Sequence, residues 1–128
     1  GFGLEQGALA STVSHDSHNF TVIYKNVEDA YVCVETLKAS GGGMCAANHG
    51  AVTYTLPFPV AGMMSTLPCE ELAEQIEKME NAMFEICPHS FSLLMVAVLA
   101  LPVRPGIIIT DKGIVNGDNQ TFVDVFAE

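Results

Sequence analysis

Glycine and proline divide this chain into short runs, and no single run can build a large architecture by itself. Gly41-Gly42-Gly43 and Asn48-His49-Gly50 punctuate the first half. Pro57, Pro59, Pro68, Pro88, Pro102 and Pro105 punctuate the second. Ala8 to Val13, small and β-compatible, reads as a strand buried on both faces or close to it. Its small side chains would let another backbone or a ligand approach closely. Phe20 to Tyr24 reads as a second strand from its β-branched and aromatic content. Asn26 is a good N-cap, with Asp29 three residues on in a capping-box-like place. Val27, Ala30, Tyr31, Val34 and Leu37 recur at helical spacing and predict a helix over about 27–40. Gly41-Gly42-Gly43 ends that helix. A glycine run that cradles phosphate belongs at a helix start, so this one reads as a C-cap.

The runs 44–47 and 51–56 flank Asn48-His49-Gly50, a hairpin signal with His49 at the tip as an exposed turn residue. Pro57 to Ser65 is irregular, apolar and punctuated by Pro and Gly. Loops normally face water, so an apolar one should line a pocket or an interface. Leu67-Pro68 starts a second helix, with Glu70 and Glu71 in its first turn. Leu72, Ile76, Met79, Met83 and Ile86 form one apolar stripe, which reads as core or an oligomer face, and Pro88 stops the helix. Phe91 to Leu101 is apolar throughout and reads as a buried helix, since Leu, Met and Ala dominate. Ile107 to Thr110, Ile114-Val115 and Phe122 to Phe126 read as strands joined by turns at Asp111-Lys112-Gly113 and Asn116 to Asn119. The fold class expected is α+β, a mixed or antiparallel sheet with helices packed mainly on one face, in a single domain over 1–128.

With 128 residues, 49% of them hydrophobic, the chain can bury a real core. It is too short for a (β/α)₈ barrel, which needs roughly 200–250 residues. Five basic residues stand against fifteen acidic ones, a net charge of −10. A phosphate backbone would be repelled, so nucleic acid is not an expected partner. The longest apolar run, Leu93 to Val103, is too short to span a bilayer, and no charged segment followed by an apolar one marks a secretory leader. Cys33, Cys45, Cys69 and Cys87 form no CxxC and match no zinc spacing, so they read as buried, reduced thiols of a cytoplasmic protein. The chain opens on Gly1 rather than Met and reads as a fragment of something longer.

The densest chemistry lies in Ser14-His15-Asp16-Ser17-His18-Asn19, between the first two strands. Imidazole and carboxylate suit zinc, manganese or iron, but His15 and His18 could ligate one ion only from a turn, and one tract does not complete a metal site. Asp16 beside a histidine can fix its tautomer for proton transfer or for hydrogen bonding to a heterocycle. Asn19 offers a donor and an acceptor, which suits a purine edge. The bland alternative is a turn whose Asp, Ser and Asn satisfy backbone groups. No G-x-S-x-G elbow surrounds Ser14 or Ser17, which disfavours a serine nucleophile.

These residues resemble a known family. Gly1 to Leu4, Gly7 to Val13 and above all Ser14 to Asn19 look like the C-terminal domain of bacterial adenine deaminases of the amidohydrolase superfamily. The likeness continues through Gly41-Gly42-Gly43, Leu56 to Ser65, Leu99 to Val103, Thr110 to Gly113 and Phe122 to Asp124. It implies hydrolysis of adenine to hypoxanthine and ammonia, in purine salvage. The resemblance also implies a divalent metal (Mn, Fe or Zn) and a principal base on a barrel domain, with no metal ligand or cofactor in this chain. His15, Asp16 and His18 match the family's motif and are candidates for catalytic work at the edge of the active site. Ser17, Asn19, Met64 and Ser65 are candidates for substrate contact. The expected partners are the amidohydrolase barrel, adenine and, for an oligomer, a second copy, with no membrane. The isolated chain would then be inactive. The alternative is a standalone purine-binding, metal-binding or oligomerising module without catalysis.

Overall fold

Seven strands and two helices follow one another in the computed structural model, which describes residues 3–14, 19–88, 98, 101, 105–110, 112–124 and 126. Strands β1 (Ala8–Ser11), β2 (Thr21–Tyr24), β3 (Gly43–Asn48) and β4 (Ala51–Pro57) form an antiparallel sheet in the order β2-β1-β3-β4. Helix α1 (Val27–Ser40) links β2 to β3, and helix α2 (Cys69–Ile86) follows β4. Strands β5 (Ile107–Thr110), β6 (Gly113–Asn116) and β7 (Thr121–Phe122) form a second antiparallel sheet. The α+β class and the antiparallel pairing are as expected. Among the described residues there are two sheets rather than one, because the last three strands pair with their sequence neighbours.

The helices are not gathered on one face. Ala8, Ala10, Cys45 and Ala47 face α1 through Cys33 and Leu37, while Leu9, Met44, Ala46 and Leu56 pack with Met79, Met83 and Ile86 of α2. Both central strands are apolar on alternate and intervening positions, so both faces need cover. The small side chains of β1, read as room for a backbone or ligand, are filled by α1. The α2 stripe is core as expected, with Leu72 and Ile76 packed at its edge. In α1 the buried line is Asp29, Cys33 and Leu37. Val27 and Tyr31, part of the helical spacing that predicted the helix, are 72% and 66% exposed, because an alanine-lined sheet face admits Cys33 and not a tyrosine. Of the cysteines, Cys33, Cys45 and Cys87 are buried, but Cys69 is exposed at the first position of α2, before the helix reaches the core. The Cys33 thiol, hydrogen-bonded to Cys45 and desolvated, is pushed well up and stays protonated at neutral pH.

The hairpin turn forms as the sequence predicts. His49 and Gly50 both take positive φ, 54° and 75°, which gives a type I′ turn with His49 exposed. No helix among the described residues is long and apolar enough to cross a membrane. The expected helix from Phe91 to Leu101 lies outside the described residues, apart from a helical Val98 and Leu101.

Asp29 joins helix and hairpin. Its N–H donates to the Asn26 side chain at 2.8 Å, and the Asn26 amide donates back to its carboxylate at 2.6 Å. The Gly50 N–H donates to the other carboxylate oxygen at 2.6 Å. Burial alone would raise this carboxyl, yet the hydrogen bonds from Gly50, Asn26 and His49 outweigh it and hold it below its usual 3.8. A depressed carboxyl stabilises the fold above its unfolded value and loses that contribution as pH falls through the folded one. Asp29→Asn should therefore cost about 1.5–3 kcal/mol near neutral pH. In urea titrations the stabilities of variant and natural protein should converge as pH is lowered below that value.

Candidate functional site

Strand register gathers three separate segments at one end of the four-stranded sheet. Ser11, the last residue of β1, pairs with Thr21 at the start of β2 and with Met44 near the start of β3. Met44 pairs in turn with Leu56 near the end of β4. The chain that leads into the polar stretch after β1, the glycine run before β3 and the apolar loop after β4 therefore share this end. His49 and Asp29 lie at the other end, away from Ser11 and Thr12.

Thr12 is where the three segments meet. Its hydroxyl donates to the Gly62 carbonyl at 2.6 Å and accepts from the Gly43 N–H at 2.7 Å. Its own N–H donates to the Gly43 carbonyl at 3.0 Å. Gly42 lies so close to the loop that a Cβ there would stand 2.6 Å from the Gly62 Cα and 2.8 Å from the Thr12 hydroxyl. Two residues on, Ser14 is buried. The loop closes on itself through Val60 and Met64, which exchange backbone hydrogen bonds of 3.1–3.2 Å around Ala61 and Gly62, both at positive φ. Beside this junction Thr12, Phe20, Leu37, Gly41 and Gly42 border an open apolar depression of about 360 Å³, with Lys38 at its margin.

The site residues expected from sequence fall on both sides of what is described. His15, Asp16, Ser17 and His18 lie outside the described residues. Asn19 is exposed, and its side chain makes no hydrogen bond among the described residues. Met64 is 56% exposed on the loop. Ser65 is half-buried, and its hydroxyl accepts from the Leu67 N–H at 3.1 Å, a local turn contact that leaves its own proton available. The structure thus brings the loop of Met64 and Ser65 to the root of the polar stretch, through Thr12 rather than through the candidates themselves. Sequence reasoning passed over Thr12. A single threonine after a run of small residues carries no periodic or motif signal.

The described residues contain no group of three or more His, Cys, Asp or Glu side chains able to hold a metal ion.

A family model described as the adenine deaminase C-terminal domain matches residues 1–121. The chain belongs to that family. Adenine deaminase from Clostridium botulinum (strain ATCC 19397 / Type A) is 41% identical over 129 aligned residues, covering 100% of this chain and 22% of that protein. The protein of the same name from Escherichia coli O1:K1 / APEC is 42% identical over 123 residues, covering 95% of this chain and 21% of its own length. The chain thus spans about a fifth of the length of these curated relatives, and it corresponds to their C-terminal domain. The resemblance read from Ser14 to Asn19 and the apolar loop is borne out at the level of the family.

The glycine run separates two costs that neighbouring glycines usually share. A Cβ at Gly41 (φ 78°) would meet nothing within 4 Å, whereas one at Gly42 (φ 116°) would meet the loop. Gly41→Ala should cost about 1–2 kcal/mol, the strain of a left-handed alanine. Gly42→Ala should cost about 2–5 kcal/mol, because overpacking adds to strain. Denaturant unfolding of the two variants measures both values.

Proposed function

We propose that this chain, as a single domain over 1–128, is the accessory C-terminal domain of an enzyme that hydrolyses adenine to hypoxanthine and ammonia in purine salvage, in the cytoplasm. The observation that supports this reading is the family match, together with a register in which Ser11, three residues before the polar stretch, pairs with Met44, itself paired with Leu56 just before the apolar loop. The reaction exchanges the exocyclic amino group of the ring for a water oxygen. It needs hydrogen bonds that hold the ring edge and a proton delivered to the departing ammonia. His15 and His18, with Asp16 to set a tautomer, are the groups of this chain suited to that proton traffic. Ser17, Asn19, Ser65 and Met64 are the groups suited to the ring's edge and face. A divalent metal on an amidohydrolase barrel, which this chain does not contain, would supply the activated water.

Val60, Met64 and Leu67 leave apolar surface exposed around the loop, and Ile107, Ile109 and Phe122 do so on the second sheet. A domain that packs on a barrel, or on a second copy, has use for such surface. The reading makes the isolated chain inactive.

The test joins this chain to the Clostridium botulinum enzyme in place of its own matching C-terminal segment. The chimera should release ammonia from adenine, and the isolated chain should release none. His15→Ala and His18→Ala in the chimera should each lower kcat by about 10²-fold or more, the usual weight of a positioned proton donor or acceptor. Ammonia from the purified isolated chain overturns the reading. So does an active chimera indifferent to both substitutions. Saturable adenine or divalent-ion binding by the chain, beside a folded but inactive chimera, would assign the chain instead as a standalone binding module.

A further inference from the structure

We infer that Thr12 is a positioning residue, whose hydroxyl sets the apolar loop carrying Met64 and Ser65 in a fixed relation to the root of the polar stretch. This rests on the reading above that the two segments serve one site. Beyond Phe58, a single hydrogen bond among the described residues ties the segment 59–65 to the rest of the fold, the one from the Thr12 hydroxyl to the Gly62 carbonyl. Its other bonds are internal, between Val60, Met63 and Met64 and between Ser65 and Leu67. A hydroxyl has one proton to give, and Thr12 commits it to the loop. The same oxygen accepts from Gly43, at the start of β3. One atom therefore fixes loop, sheet and polar-stretch root together.

The contact is also closed sterically. A Cβ at Gly62 would stand 2.9 Å from the Thr12 hydroxyl and 3.3 Å from its Cβ. Loop and strand end meet with no space for an added methyl. Core stability alone does not call for this arrangement, because Val60 and Met64 stay exposed beyond the contact. An exposed apolar loop pinned near its apex is preorganised, which a binding surface needs and a simple connection does not.

Amide hydrogen exchange on the chain, with Thr12→Val and Thr12→Ser, tests the inference. Valine keeps the shape and removes the hydroxyl, and serine keeps the hydroxyl. The valine variant should speed exchange at Gly43, Met63 and Met64 at least tenfold, with α2 and the β1–β2 ladder unchanged. Serine should restore those rates to within twofold. In the chimera the valine variant should raise KM for adenine at least fivefold, with serine near natural behaviour. Unchanged exchange at Met63 and Met64, or faster exchange spread evenly over the sheet, overturns the inference. If the valine variant does not fold, Gly62→Ala decides, since it disturbs the same contact from the loop side. It should speed Met63 and Met64 and spare α2, and a uniform response overturns the inference. An inactive chimera with the local exchange pattern intact would sink the functional reading while leaving Thr12 as the residue that holds the loop.

Discussion

Strand β1 is hydrogen-bonded along both edges and covered on both faces, and the other features take their places from it. Ala8 and Ala10 face α1, and Leu9 faces α2. A one-residue slip would present leucine to the small-residue layer and alanine to the large-residue layer, so the register is strongly specified. The small-residue layer is what lets α1 settle close, with the Cys33 thiol donating to the Ala8 carbonyl at 3.6 Å. With β1 fixed, its neighbours fix where Gly43, Leu56 and Thr21 emerge. The polar stretch follows a strand held on both edges and both faces.

The two ends of that sheet are closed by different chemistry. At the hairpin end, a buried carboxylate takes N–H donors from the Asn26 N-cap of α1 and from the turn. That closure is charged, and acid weakens it. At the other end, a hydroxyl, a carbonyl and two glycines in contact make a neutral closure.

Much of the fold was legible because it rests on local signals. The Asn26 cap, Gly41 as C-cap, the Asn48-His49-Gly50 turn and the α2 stripe each depend on neighbours within one or two turns. What escaped depends on contacts distant in sequence. Asp29 was legible as a capping residue, but not as the acceptor for a hairpin twenty-one residues on. Tyr31 fell in the right spacing for a buried face, yet the alanines of β1 and β3 decided against it. The division of the helices between two faces follows from both central strands being apolar on each side, a property visible only once they are known to be central. For the site, the motif announced its family, and the loop's apolar character announced an unusual role. The Thr12 contact spans fifty residues and leaves no trace in either segment's composition.

The second sheet sharpens what the proposed role demands. Alternation puts Ile108 on one face of β5 and Ile107 and Ile109 on the other. Ile108 is 7% exposed, while Ile107 and Ile109 are 59% and 82% exposed. A three-stranded sheet usually needs an apolar face packed against something to hold its shape. Within β5, Ile108 is covered while Ile107 and Ile109 are bare. The main sheet, by contrast, is covered on both faces by its own helices. In the proposed enzyme the two parts would therefore have separate duties. The bare isoleucines would give affinity for the larger partner, and the pinned loop would give geometry at the substrate. Burying the isoleucines yields non-directional attachment that tolerates small shifts. The Thr12 contact tolerates almost none, because its hydrogen bond and its glycine packing both fail within a fraction of an ångström. In that reading, rigidity at the Thr12 junction and tolerant attachment through Ile107 and Ile109 would lie on different elements.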